Sequence, residues 1–266
     1  MVNKHSSSLS EWIDELQRSG VYTFTKENAL QALEIQKHSL NIAFNRLNQQ
    51  GRILRLRNNF YVIVPLEYRS AGTIPPEWFI EDLMKFIGLP YYVGGLSAAA
   101  VYGAAHQRPQ ELQVVAPSHI RMIDLAAVRI RFLRFSGMER ARTGLRRTQT
   151  GDYILSTAEW TAIDLIRFQN NIGGLDAVAG VIQELGEAMD TEKLEESCRY
   201  EPQNAPLQRL GWLLEHLGFE ELVLPIRSEL EKRDPSYVPL NSSLKRRTGP
   251  HSRTWRIVVN EKPEIG

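Results

Sequence analysis

From Ile35 to Val64 the chain reads IQKHSLNIAFNRLNQQGRILRLRNNFYVIV, thirty positions without an aspartate or a glutamate, and no other stretch constrains the fold as much. Leu40, Ala43, Phe44 and Leu47 recur at the spacing of one helical face and predict a buried stripe. Asn41, Asn45 and Asn48 fall on a separate stripe that should face solvent. Gly51 predicts the end of that helix. Ile53 to Arg57 and Phe60 to Val64 then read as strands around Asn58-Asn59, a pair that tolerates the positive φ of a tight hairpin. A short amphipathic helix followed by a basic hairpin is the pattern of a winged helix-turn-helix.

That pattern names candidate DNA-binding residues. Lys37, His38 and Ser39 begin the helix, the end that normally enters a major groove, with Ser39 as its expected N-cap. The carboxamides of Asn41 and Asn45 suit adenine edges. Arg52, Arg55 and Arg57 lie on the hairpin, and strand alternation puts Arg55 and Arg57 together, opposite Leu54 and Leu56, where they would meet phosphates or enter a minor groove. Ile42 falls between the two helix stripes. Packing on the preceding helix and contact with a thymine methyl both remain open for it at this point. A solvated polar face, or a winged helix that binds only another protein, is the competing reading.

With 266 residues, 42% of them hydrophobic, the chain suits two domains rather than one small one. A formal net charge of +1 excludes a polycationic DNA coat, so nucleic-acid binding must come from local segregation of charge. One cysteine, Cys198, makes no intrachain disulfide, and the start MVNKHSSSLSEW lacks the apolar run of a secretory signal. No apolar run approaches the roughly 18 residues of a membrane span. A cytoplasmic protein that does not engage membranes is expected. No cysteine or histidine pairs stand at metal-ligand spacing, so no metal or cofactor is assigned.

The expected fold class is α+β: an N-terminal winged helix-turn-helix, then a larger mixed α/β domain with a helical extension. Trp12, Ile13 and Leu16 predict a first helix ended by Gly20, and Thr25 caps a second holding Ala29, Leu30 and Leu33. Pro65, Gly72, Pro75 and Pro76 break regular structure, which sets boundaries at 1–69, a linker at 70–76 and a second domain at 77–266. Glu77 to Ile87 reads as an amphipathic helix. Tyr91 to Val93, a Gly94-Gly95 turn, a helix over Ala98 to Ala105 capped by Ser97 and a strand at Leu112 to Ala116 follow. Val128 to Phe135 and Tyr153 to Leu155 are further strands. Ser156 and Glu159 form a capping box for the next helix, Gly173-Gly174 precedes another, and a terminal strand, Trp255 to Val259, is expected to rejoin the sheet. Arg129, Arg131, Arg134, Arg140, Arg142, Arg146 and Arg147, with Lys245, Arg246 and Arg247 near the end, offer a second basic surface. Glu184 to Glu201 is acidic and reads as a solvated face, with a partner surface or docking on the preceding arginines as the alternatives.

Only one place suggests chemistry. A glycine-serine turn at a helix start, followed by a strand, is where nucleotidyltransferases receive phosphates. Such enzymes then need two carboxylates one residue apart to hold metal ions. Here that strand begins Glu111-Leu112-Gln113, with an amide in place of one acid. No catalytic residue is therefore assigned and the protein is not expected to be an enzyme. A nucleotide-binding or degenerate nucleotidyltransferase-like protein is the alternative.

Together, NNFYVIVP at the wing, the Pro-Pro linker and YYVGGLSAAAVYGAAHQRPQELQVV give nearly the full chain a likeness. It resembles the AbiEi family of antitoxins from type IV toxin–antitoxin systems of abortive infection, a form of phage defence. The resemblance implies a transcriptional autorepressor whose N-terminal domain binds inverted repeats in its own promoter. It also implies a C-terminal domain that counteracts a nucleotidyltransferase-like toxin encoded alongside. The positively charged face of that domain would support antitoxicity and cooperative DNA binding.

Overall fold

Ser8 opens the first helix of the computed structural model, which describes residues 8–33, 35–104, 109–244 and 248–263. The Ser8 hydroxyl accepts the Glu11 amide at 3.3 Å and the Glu11 carboxylate accepts the Ser8 amide at 3.1 Å, so two orphan donors are satisfied reciprocally. Helix α1 (Leu9–Arg18) buries Leu9, Trp12, Ile13 and Leu16. Strand β1 (Thr23–Thr25) runs into α2 (Lys26–Leu33), where the Thr25 hydroxyl accepts the Asn28 amide at 3.1 Å, the cap that its position predicts. Helix α3 (Lys37–Gln49) buries Leu40, Phe44 and Leu47 and gives way at Gly51, whose φ of +65° suits a residue without a Cβ. Strands β2 (Ile53–Arg57) and β3 (Phe60–Ile63) follow, and Asn59 takes the positive φ of the turn, 66°.

The sheet they form has one strand more than the hairpin alone, because β1 pairs antiparallel with β3 to give the order β1-β3-β2. Phe24, Phe44 and Tyr61 stack with centroids 4.4–6.0 Å apart and Trp12 meets Phe24 edge-on, so one aromatic cluster joins α1, α3 and the sheet. The order helix, strand, two helices, hairpin is the one a winged helix-turn-helix requires. Two single-turn 3₁₀ segments, Leu66–Tyr68 and Pro76–Trp78, then lead to α4 (Ile80–Ile87), which ends at the left-handed Gly88. Asp82 of α4 accepts the Thr23 hydroxyl at 2.6 Å, and Phe86 lies 5.2 Å from Phe60.

Next come β4 (Tyr92–Val93), α5 (Gly95–Val101), β5 (Leu112–Ala116), β6 (Ile123–Leu125), β7 (Val128–Arg134), β8 (Thr143–Arg147) and β9 (Asp152–Ser156). Their strands make a six-stranded sheet in the order β6-β7-β5-β4-β9-β8, mixed because β4 is antiparallel to β5 and parallel to β9. Helices α6 (Ala158–Arg167), α7 (Gln169–Ile172), α8 (Leu175–Gly186), α9 (Thr191–Tyr200), α10 (Asn204–His216) and α11 (Glu220–Arg233) follow. Trp160, Ile163, Ile182, Leu194, Leu210 and Leu213 belong to one buried cluster, the main core of this helical part. The chain closes with β10 (Val238–Pro239), β11 (His251–Ser252) and β12 (Ile257–Val258).

Three local expectations change. Ser156 and Glu159 do not cap α6: strand β9 continues through Ser156, so the turn comes one residue later and the Thr157 hydroxyl accepts the Trp160 amide at 3.2 Å. Glu159 is buried instead and accepts the Asp190 amide at 2.9 Å. Ser97 does not cap α5, since Gly94 occupies the cap position. The terminal strand does not rejoin the large sheet, because β12 lies between β10 and β11 in a small sheet of its own.

The chain divides into two compact units, Met1–Pro90 with Arg121–Arg131 and Leu145–Tyr153, and Tyr91–Ile120 with Phe132–Gly144 and Ile154–Gly266. No helix among the described residues is long and apolar enough to cross a membrane.

Candidate nucleic-acid interface

Helix α3 turns its buried stripe to the aromatic cluster, so its other side is left to solvent. Lys37, His38, Asn41 and Asn45 are all exposed there. Asn41 and Asn45 stand one turn apart on one row, and His38, Ile42 and Arg46 make a second, parallel row at the same four-residue spacing. Lys26, at the start of α2, reaches this face and donates to the Asn41 carboxamide oxygen at 2.7 Å. That contact orients Asn41 and adds a cation which lies outside the acid-free stretch. The wing is fixed to the same helix, because the Asn48 side-chain oxygen accepts the Arg55 amide at 3.3 Å. Arg55 is exposed, its guanidinium held by Asn58 at 2.8 Å.

Four positions depart from the sequence-based expectation. Ser39 is exposed in the first turn of α3 and caps nothing; the cap position belongs to Gln36, which makes no side-chain cap bond. Asn48 is exposed but tied to the wing rather than left entirely to solvent. Arg52 turns to α1, where it pairs with Asp14 and donates to Ser10, so its charge is neutralised locally. Arg57 does not share the outlook of Arg55. A register shift between them sets Arg55 opposite Tyr61 and Arg57 opposite Phe60, which breaks the alternation. Arg57 is half-buried, with Nη1 enclosed and without a protein hydrogen-bond partner.

The second set of cations does not behave as one group. Arg129 pairs with Asp124 at 2.9 Å and Arg140 with Glu139 at 3.5 Å. Arg142 is half-buried, reaches Glu196 of α9 at 3.1 Å and lies 3.6 Å over the Tyr200 ring, so the acidic segment is in part a docking face rather than wholly solvated. Arg131 is half-buried, whereas Arg134, Arg146 and Arg147 are exposed. Arg129, Arg131, Arg146 and Arg147 fall in the first unit, Arg134, Arg140 and Arg142 in the second. Lys245, Arg246 and Arg247 lie outside the described residues.

At the glycine-serine turn the structure explains why phosphate chemistry is a poor fit. The buried Gln113 side chain folds back onto the start of α5, where its oxygen accepts the Leu96 amide at 2.8 Å. Ser97 ties the same helix to β5, accepting the Gln113 amide at 2.8 Å and donating to the Glu111 carbonyl at 3.2 Å. The amide that a phosphate would need is already satisfied from within. Gly95, at φ +55°, lets this happen, since a Cβ there would overlap the Gln113 carboxamide. Gln113→Ala should lower stability by about 1–2 kcal/mol through the unsatisfied Leu96 amide. Urea unfolding would show a lower midpoint at unchanged slope.

Residues 92–216, from β4 to the end of α10, match the model of the AbiEi antitoxin C-terminal domain. The chain carries an AbiEi antitoxin domain. That match supports an antitoxin role in a toxin–antitoxin system, which implies a toxin as counterpart. The AbiEi domain includes the turn at Gly94 to Ser97, where Gln113 satisfies the Leu96 amide, and a buried ionic cluster on α6. The crystal structure of the RV2827C protein from Mycobacterium tuberculosis shares the fold at a TM-score of 0.65, with 16% identity over 93% of this chain and 89% of that one. An antigenic nucleotidyltransferase-like protein from Paracoccidioides brasiliensis overlaps at a TM-score of 0.35 and 11% identity, over 57% of this chain and 90% of that one. No curated protein matches the sequence.

In the cluster within the AbiEi domain, Arg167 bridges Asp164 and Glu201, two carboxylates with no exposed side-chain surface. Tyr92 donates to Asp164 at 2.9 Å and accepts from the Trp160 indole at 3.2 Å. The guanidinium also lies 4.0 Å over the Phe135 ring. Burial pushes the Asp164 carboxyl up to about 7 against the opposing pull of Arg167 and the Tyr92 hydroxyl. Burial also raises Glu201, and it pushes the enclosed Cys198 thiol up to about 12, which leaves that cysteine inert.

Proposed function

We propose that the protein is a DNA-binding autorepressor and the antitoxin of a type IV system, acting in the cytoplasm on promoter DNA that carries inverted repeats and neutralising a nucleotidyltransferase-like toxin. The observation that carries the DNA-binding part is the face of α3, where Lys37, His38, Asn41 and Asn45 are exposed together beside Arg55 of the wing. Lys26 adds to it through Asn41. Base contacts come from Asn41 and Asn45 in a major groove, and phosphate contacts from Lys37, His38 and Arg55. Arg52, tied to Asp14, serves the fold rather than the DNA. The exposed Arg134, Arg146 and Arg147 are the residues of the second basic set best disposed to act in antitoxicity.

The toxin part rests on the family match and on the sequence resemblance. Co-expression tests it: the full chain should restore growth to cells that express a nucleotidyltransferase-like toxin encoded beside it. A reporter driven by the upstream region should fall in the same cells. Unrelieved toxicity would remove the toxin assignment, and an unrepressed reporter would remove the repressor assignment.

A further inference from the structure

The polar face of α3 contains one apolar side chain. Ile42 is 58% exposed, while the helix's other large apolar residues, Leu40, Phe44 and Leu47, are exposed by 3% or less. Isolated apolar residues on a surface are ordinary, so exposure alone assigns nothing. Position does more. Ile42 has His38 four residues before it and Arg46 four after, and Asn41 and Asn45 lie on the adjoining row, all of them exposed. It therefore stands inside the face assigned to DNA and within its first two turns, the part of such a helix that reaches base edges. Local helix preference gives no reason for it, since a β-branched residue is a weaker helix former than the lysine or glutamine that a solvated face would take.

A helix seated in the major groove covers this side chain. Opposite a phosphate or an amino group, Ile42 would strip water from a polar partner and give nothing back. The groove offers one apolar feature, the C5-methyl group of thymine. We propose that Ile42 is a specificity-determining residue that recognises a thymine methyl in each half-site, next to the adenine-directed carboxamides of Asn41 and Asn45. This assignment rests on the DNA-binding reading above and deepens it, because it commits the half-site to A·T pairs at neighbouring positions.

Removal of the methyl group alone provides the test. Two duplexes of the region immediately upstream of the coding sequence are compared at fixed salt, one containing thymidine and one with deoxyuridine in every thymidine position. Wild-type protein should bind the thymidine duplex about fourfold more tightly per methyl contact, the factor that corresponds to about 0.8 kcal/mol for one buried carbon. Ile42→Ala should bind both duplexes equally, near the affinity of wild type for the uracil form. Its thermal unfolding should not fall, because Ile42 is not among the residues packed on the buried cluster and alanine is the better helix former. Equal binding of the two duplexes by wild type, or undiminished discrimination by Ile42→Ala, would overturn the assignment of Ile42 while leaving DNA binding in place. Retention of neither duplex by wild type would remove the DNA-binding reading, and this assignment with it.

Discussion

Arg167→Ala is expected to destabilise the AbiEi domain by about 3–5 kcal/mol, the cost typical of breaking a buried ion pair from one side. The guanidinium serves two carboxylates at once, Asp164 and Glu201, both without exposed side-chain surface. It also covers the Phe135 ring. Loss of packing alone would give a deficit independent of pH. Loss of the charge gives a deficit that depends on pH, and its sign follows from linkage. Removing the cation raises the folded-state values of both carboxyls further above their unfolded ones. The deficit should then shrink to its packing part below about pH 3, where both carboxyls are protonated in either state, and grow as pH rises through 7 and above. Chemical denaturation at a series of pH values reads this directly. A deficit that stays flat from pH 5 to 8, or one under about 1 kcal/mol at neutral pH, would show that the ionic cluster is not what holds α6 to the segment after α9.

Gly211→Ala should produce the second large loss. Gly211 lies in α10, where a Cβ would overlap three ring atoms of Trp255, a side chain that is itself fully buried. That ring cannot simply move aside. Its indole N–H donates to Glu215 at 2.8 Å, and the neighbouring backbone is held by Gln208, which donates to the carbonyls of Trp255 and Arg256 at 3.0 and 3.1 Å. Overpacking of this kind costs about 1–3 kcal/mol, enough to exceed the gain of up to about 1 kcal/mol that alanine brings to a helix interior. Gly180→Ala provides the control, since nothing lies within 4 Å of a Cβ in the middle of α8. Thermal unfolding should move down for Gly211→Ala and up for Gly180→Ala. Movement of both in the same direction would mean that Trp255 does not pack as described.

The elements that were legible in the sequence are those in which a single period acts without interruption. Leu40, Phe44 and Leu47 specify the buried side of α3, and Gly51 and Asn59 mark the two turns where the backbone takes a positive φ. Thr25 names its own helix start. Strands β6 and β8 carried no such pattern, and all five residues of β8 are exposed. Helix α11 is masked in the sequence by Pro225, which stands inside it. The site shows the same division. Exposure of Lys37, His38, Asn41 and Asn45 follows from local periodicity. Capture of Arg52 by Asp14, 38 residues away, does not. Enclosure of Arg57 follows from a bulge that turns two similar arginines in different directions, and Lys26 meets Asn41 across 15 residues of chain, from the start of a different helix. Asp164 and Glu201 look like ordinary helix-face acids until tertiary structure places one guanidinium between them.

Of all the claims, the face of α3 with its wing is the central one, and fluorescence anisotropy of an upstream-region duplex across a salt series tests it most directly. Arg55→Ala should weaken binding to upstream and unrelated DNA alike and reduce the slope of log affinity against log salt by about 1, as expected for one lost phosphate contact. Asn45→Ala should keep the slope and lose about 1–3 kcal/mol of preference for the upstream sequence. Wild-type affinity, slope and preference in both variants would contradict the account.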